Sequence, residues 1–299
     1  MRMPKVYYSI PDRLIVATRE RRLVPFVGSG FSKQAGADKY PSWTELLLTM
    51  LRDAKRRGEV DAITERHIKS MIHKGQHLMA AEALKSRMAT DAFATLMEES
   101  FAPQNVTPSH AHRTLLLLNP RMIVTTNYDR LIENTYAEIK RQAMTVITYD
   151  ESAKAQRRLQ DDKERERTFL YKIHGDVEDI SSLILSETDY RRLLYDSAGY
   201  NAVLGSVFIH FVVVFMGFSL SDPELLLTLG RMRHALKSQN TPDYVIVPDD
   251  NINAVQIERY REDFGVETIL YVSDLIHSGI VRFLRKLHLK AFGTGRRTP

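Results

Sequence analysis

Short runs of apolar residues recur along this chain, separated by stretches of helical periodicity. They read LVPFVG (23–28), RMIVTT (121–126), AMTVITY (143–149), TFLYKIHG (168–175), SSLILS (181–186), HFVVVFMG (210–217), DYVIVPD (243–249) and VETILYV (266–272). A strand that is apolar at nearly every position needs cover on both faces, and a parallel sheet between layers of helices supplies it. The connecting segments carry the helices: PDRLIVATRERR (11–22), YDRLIENTYAEIKRQ (128–142), SETDYRRLLYDSAGYNAVLGSVF (186–208), DPELLLTLGRMRHALK (222–237) and DLIHSGIVRFLRKLHLKAF (274–292). The expected fold is α/β, a Rossmann-like parallel sheet with helices on both faces.

One region breaks the alternation. SWTELLLTMLRDAKRRG (42–58), AITERHIKSMIHKGQHLMAAEALKSRM (62–88) and DAFATLMEESFA (91–102) repeat apolar residues every three or four positions with almost no strand signal. Residues 42–115 therefore read as a helical insertion, leaving 1–41 and 116–299 to form the sheet domain.

Composition excludes several classes of chemistry. The chain of 299 residues has no cysteine, which rules out disulfides, thiolate-held zinc, iron–sulfur clusters and a cysteine nucleophile. The longest apolar run, VFIHFVVVFMGF (207–218), is interrupted by His210 and is too short to span a bilayer. No apolar run of signal-peptide type precedes Pro11 and Asp12. The expectation is a cytoplasmic protein that does not enter a membrane. The net charge is +5, but basic and acidic residues mix in KAQRRLQDDKERER (154–167) and aromatic residues do not interleave with the basic ones, so direct nucleic-acid binding is not expected.

The strand ends carry the candidate chemistry. The first run enters Gly28-Ser29-Gly30 and then a helix start. A strand, a glycine turn and a helix N-terminus together make an anion site, because free N–H groups and the helix dipole face the ligand. Gly28 and Gly30 admit a phosphate closely, and Ser29 and Ser32 add hydroxyl donors. Lys33 stands where the third glycine of G-x-G-x-x-G would fall, so a tight turn with no ligand fits equally well. Thr125, Thr126, Asn127 and Asp129 close a second run, His174, Gly175 and Asp176 a third, and Gly217, Ser219 and Asp222 a fourth. In a parallel sheet these clusters share the edge where ligands bind. Each also has a structural reading: Asn127 and Asp129 as helix caps, His174 as a core histidine, and SLSDPEL as a helix start with proline in its first turn.

In order, GSGFS (28–32), TTNYD (125–129), IHGD (173–176) and GFSLSD (217–222) resemble the glycine turn, the T-Q-N-[IV]-D, the catalytic H-G and the G-[TS]-S-L segments of the sirtuin superfamily. No cysteine module lies between His174 and Gly217, and KYPSWTELL (39–47) stands in place of the family deacylases' P-D-F-R. The pattern is closer to the zinc-free sirtuin-like domains of bacterial antiphage defence proteins, which IPDRLIVATRERRLVPFVGSGFS (10–32) and TTNYDRLIE (125–133) resemble in particular.

The resemblance implies an NAD hydrolase that cuts the nicotinamide–ribose bond, yields nicotinamide and ADP-ribose, depletes NAD and needs no metal. Asn127 would hold the ribose hydroxyls or the attacking water, and His174 would accept a proton. Gly28, Ser29, Gly30, Phe31 and Ser32 would take the pyrophosphate, with Gly217 and Ser219 on the adenosine side. Asp129 would contact nicotinamide or ribose, or orient its loop. Asn127 and His174 are expected at open strand ends, outside the core. An ADP-ribosyltransferase, a deacylase, or a non-catalytic subunit that senses NAD or ADP-ribose stay open as alternatives. No long sensor region follows the closing helix, so control is expected from outside the chain. By resemblance that means a homo-oligomer gated by a separate hexameric translocase-type ATPase.

Overall fold

The computed structural model describes residues 9–36, 39–102, 106–164, 166–218, 226, 229–231, 242–274 and 277–293. The apolar runs form one sheet: β1 (Leu23–Val27), β2 (Met122–Thr125), β3 (Thr145–Thr148), β4 (Phe169–Lys172), β5 (Val212–Met216), β6 (Asp243–Pro248) and β7 (Val266–Tyr271). Its order is β3-β4-β2-β1-β5-β6-β7, and every pairing is parallel. The winding reverses across β1, with β2 on one flank and β5 on the other. At such a switch point a crevice opens outside the carboxyl ends of the strands.

Successive side chains of a strand point to opposite faces, and both faces are covered. On one side Val27, Ile123, Val214 and Met216 pack with α1 (Asp12–Arg19), α7 (His110–Leu117), α8 (Leu131–Lys140) and α13 (Ser278–Phe292). On the other, Phe26, Val124, Val213 and Phe215 pack with α9 (Ser152–Gln160), α10 (Glu187–Asp196), α11 (Ala198–His210) and α12 (Ala254–Phe264).

Four helices from the 42–115 region build a third core: α3 (Trp43–Arg56), α4 (Ala62–His73), α5 (His77–Lys85) and α6 (Thr90–Phe101). Leu47, Met50, Ile68, Leu84 and Met97 lie inside it, and Tyr128, Val177, Leu183 and Leu185 from the strand-end loops, with Leu131 at the start of α8, complete it. The chain turns between α4 and α5 at Gly75, whose φ is +74°. Helix α7 packs with the sheet's core through Ala111, Leu115 and Leu116.

Two expectations are corrected. SSLILS is not a strand: a 3-10 turn occupies Ile180–Ser182, Leu185 N–H donates to the Asp189 carboxylate, and Ser186 caps α10. Its backbone groups are used by turns, by Asp189, by His174 and by the Tyr128 hydroxyl instead of by a strand neighbour, and its apolar side chains face two cores. The helix expected over 186–208 is two, α10 and α11, parted at Ser197 (ψ 69°). The helix expected over 222–237 lies largely outside the described residues. No helix among the described residues is long and apolar enough to cross a membrane.

Candidate active site

The glycine turn is shaped first by its own neighbours. Gly28 N–H donates to the Met216 carbonyl at 3.0 Å and Gly30 N–H to the Gly217 carbonyl at 2.9 Å. A Cβ on Gly28 would lie 2.6 Å from the Gly217 oxygen, and one on Gly217, where φ is +64°, would lie 2.1 Å from the Phe31 nitrogen. The glycines let the turns after β1 and β5 interlock. The helix that follows is one turn, α2 (Ser29–Ser32), running into a 3-10 turn over Lys33–Ala35, so it contributes little dipole.

Beside this turn the end of β2 is pinned to β1. Thr125 Oγ1 donates to the Val27 carbonyl (2.9 Å) and accepts from Asn127 N–H (3.0 Å). Asn127 Nδ2 then donates to the Gly28 carbonyl (3.0 Å) and to Ser32 Oγ (2.8 Å). Ser32 donates its own hydroxyl hydrogen to Asp129 Oδ2 (2.6 Å), and Asp129 Oδ1 accepts from Leu131 N–H (3.0 Å). Both amide hydrogens of Asn127 are thus spent, which orients the amide and leaves Oδ1 with no partner among the described residues. Burial pushes the Asp129 carboxyl up from its ordinary value, against the hydrogen bonds from Ser32 and Leu131 and the charge of Lys172.

The end of β4 supplies the other half. Lys172 is fully buried. Its Nζ donates to the carbonyls of Tyr128 (3.0 Å) and Asp129 (2.7 Å) and meets Glu133 Oε1 and Asp176 Oδ2, each at 3.0 Å. Burial opposes the ammonium, yet the surrounding carboxylates outweigh it and keep the lysine charged. One cation therefore ties the Asn127–Asp129 loop, the start of α8 and the loop after His174. His174 packs edge-on against Tyr190 at 5.2 Å, and its carbonyl accepts from Ile184 N–H at 3.0 Å. Gly175, with φ +87°, turns the chain after it.

These strand ends line one cavity of about 330 Å³ with Ser29, Ser32, Thr126, Asn127, Asp129, His174 and Gly217 on its sheet side. Of the residues singled out by sequence, Gly28, Gly30 and Phe31 do not line it. Phe31 is buried against His112 at 4.8 Å, so only its backbone faces the turn. Ser219 lies outside the described residues. Asn127 and His174 are each 8% exposed, which corrects the open strand ends: the helical segment roofs them. The roof residues Tyr40, Trp43, Thr44, His77 and Phe101 were not named from the sequence, because no local pattern says which helix end will face the sheet. Lys172 was not named either, although a lysine inside an apolar strand is itself a signal.

The sequence is similar to those of known proteins. Residues 121–269 match the family model described as the SIR2-like domain. Over those residues the chain is SIR2-like in sequence. The NAD(+) hydrolase ThsA of Enterococcus faecium is 28% identical over 74% of this chain and 42% of its own length. The NAD(+) hydrolase ThsA of Bacillus cereus (strain MSX-D12) is 25% identical over 86% of this chain and 49% of its own. Defense-associated sirtuin 2 of Bacillus subtilis is 22% identical over 90% of this chain and 25% of its own. The chain spans less than half the length of each. The parallel sheet, its order and the strand-end cavity agree with the α/β fold expected from the motifs.

Proposed function

We propose that this SIR2-like domain is an NAD+ glycohydrolase, cutting the nicotinamide–ribose bond to give nicotinamide, ADP-ribose and a proton. The observation that carries the reading is the Asn127 amide, held by two donated hydrogen bonds with Oδ1 unpartnered among the described residues, in the same cavity as His174. Departure of nicotinamide leaves an oxocarbenium-like ribose, so the site must orient the sugar and align a water more than protonate the leaving group. Asn127 Oδ1 accepts from a ribose hydroxyl or from that water. His174 takes the water's proton as its oxygen bonds to the anomeric carbon, a role worth roughly 10²–10⁴ in rate. Asp129 accepts the Ser32 hydroxyl and thereby fixes the amide; its own contact with substrate is not required.

The relatives' names, NAD(+) hydrolase and defense-associated sirtuin, support NAD depletion in antiphage defence. Cytoplasmic location, self-association and gating by a separate hexameric translocase-type ATPase belong to the same proposal. Exposed apolar side chains on the helical segment, Ile63 at 64% and Met79 at 49%, support self-association. The test is incubation of the purified chain, alone and with candidate partners, with NAD. Nicotinamide and ADP-ribose in equal amounts support hydrolysis. ADP-ribose transferred to protein points to a transferase, and no cleavage under any condition overturns the reading.

A further inference from the structure

The segment 184–190 touches His174 at both of its ends. Ile184 N–H donates to the His174 carbonyl at 3.0 Å, and the Tyr190 ring stands edge-on to the imidazole at 5.2 Å. Between these two contacts the segment is fixed by one buried carboxylate, Asp189. Its Oδ2 accepts from Leu185 N–H (3.2 Å), Ser186 N–H (3.0 Å) and Ser186 Oγ (3.0 Å). Its own N–H donates to Ser186 Oγ, closing the capping box that opens α10. The backbone next to Ile184 and the helix turn that carries Tyr190 therefore meet at a single oxygen.

That oxygen also takes a cation from the helical segment. Lys85, the last residue of α5, donates to it at 2.7 Å, and less than one turn earlier Glu82 Oε2 accepts Thr188 N–H at 3.0 Å. A capping box needs no such partner. Burial alone would raise the Asp189 carboxyl, and the bonds from Lys85 and the Ser186 backbone hold it below its ordinary value instead. Arg192 of α10 stands 3.9 Å from the other oxygen, too far to duplicate the bond. Neither Lys85 nor Asp189 lines the cavity, whereas Tyr190 and His174 do.

We propose that Lys85 is a positioning residue for His174: through Asp189 it holds the turn that sets Tyr190 against the imidazole, so the helical segment takes part in aligning the base. The inference rests on reading His174 as the base of NAD cleavage. A misplaced base costs rate, while the groups that bind substrate stay where they were.

The test is Lys85→Met, with Lys85→Arg as the conservative variant and Tyr190→Leu to remove the ring. Lys85→Met is expected to lower kcat about tenfold, with KM for NAD and affinity for ADP-ribose unchanged. Lys85→Arg keeps a charge beside Asp189 and should recover most of that loss. In the Tyr190→Leu background Lys85→Met should cost nothing more. The His174 ring resonances, identified by their absence in His174→Gln, should shift in Lys85→Met toward their positions in Tyr190→Leu. Because 30% of the Lys85 side chain is exposed, its loss should cost little stability; Lys85→Gln makes the same comparison if the methionine variant does not fold. Parent kcat in Lys85→Met overturns the proposal, as does a loss that raises KM instead or that persists undiminished without the Tyr190 ring. If the unmodified chain releases no nicotinamide, the NAD reading falls, and the ring resonances decide the positioning role by themselves: unmoved by Lys85→Met, they overturn it.

Discussion

The two walls of the cavity are built on different physics. The sheet side is polar, with Asn127, Ser32, Asp129 and Lys172 buried, and it is over-determined: each of these four satisfies a neighbour, and the backbones of three strand ends are bonded across them. The roof is aromatic and only partly buried, and it rests on the separate core of α3–α6. A wall of interlocked hydrogen bonds keeps reacting groups in place, whereas a wall of rings on a separate core selects what enters. Disturbing the sheet side should therefore cost chemistry and stability together. Disturbing the roof should cost recognition or local helix stability.

The sharpest way to break this comparison is at the reacting groups. Asn127→Ala and His174→Ala should each lower NAD turnover by roughly 10²–10⁴, read as nicotinamide released per unit time. Because both residues are buried, a modest drop in melting temperature is also expected, largest for Asn127→Ala, which removes the donor shared by the Gly28 carbonyl and Ser32 Oγ. Turnover at the parent rate in both variants would remove the sheet side from the chemistry.

Next in size is Lys172→Met. Removing one partner of a buried ionic cluster leaves Glu133 and Asp176 uncompensated and typically costs about 3–5 kcal/mol. Denaturant titration should show this, with activity falling along with it. A variant as stable as the parent would mean that the cation is not what holds the two loops together.

A smaller effect follows from His112, which lies beneath the turn against Phe31 and accepts from Ser109 N–H at 3.3 Å. Burial pushes its imidazole down to about 3. It stays neutral in the folded chain while the unfolded chain takes up a proton below its ordinary value of 6.5. Stability is thus lost as pH falls from about 6.5 toward 3, by about 2 kcal/mol between pH 7 and pH 5. Chemical denaturation at the two pH values checks this, and His112→Gln should flatten that part of the dependence.

The smallest effect belongs to the roof. Ser42→Ala removes the cap of α3 and should cost about 1 kcal/mol, seen as a melting shift of a few degrees. Asn127-dependent chemistry should be nearly unchanged at saturating NAD. A loss of turnover as large as that of Asn127→Ala would erase the distinction between the walls.

Much of the sheet side is legible in the sequence. Apolar strands ending in Gly28, Asn127, His174 and Gly217 announce themselves because a parallel strand buried on both faces has no other way to be written, and polar residues then mark its end. SSLILS shows the limit of that logic: the same apolar run can serve as a buried loop when turns and the Asp189 carboxylate use its backbone groups. Lys172 stands in plain view, but its partners Glu133 and Asp176 mean nothing until β2 and β4 are neighbours.

By itself, the sequence determined the alternation of strand and helix, the helical character of the segment after Pro41, and the residue types at the strand ends. These are local matters, set by periodicity, turn chemistry and burial on both faces. Only the tertiary structure decided that β1 lies between β2 and β5, that Asn127 gives both its hydrogens away, and that Trp43 and His77 close the cavity over His174. Each of these joins residues far apart along the chain, and such contacts are chosen by how the cores pack against one another, which no local pattern of residues encodes.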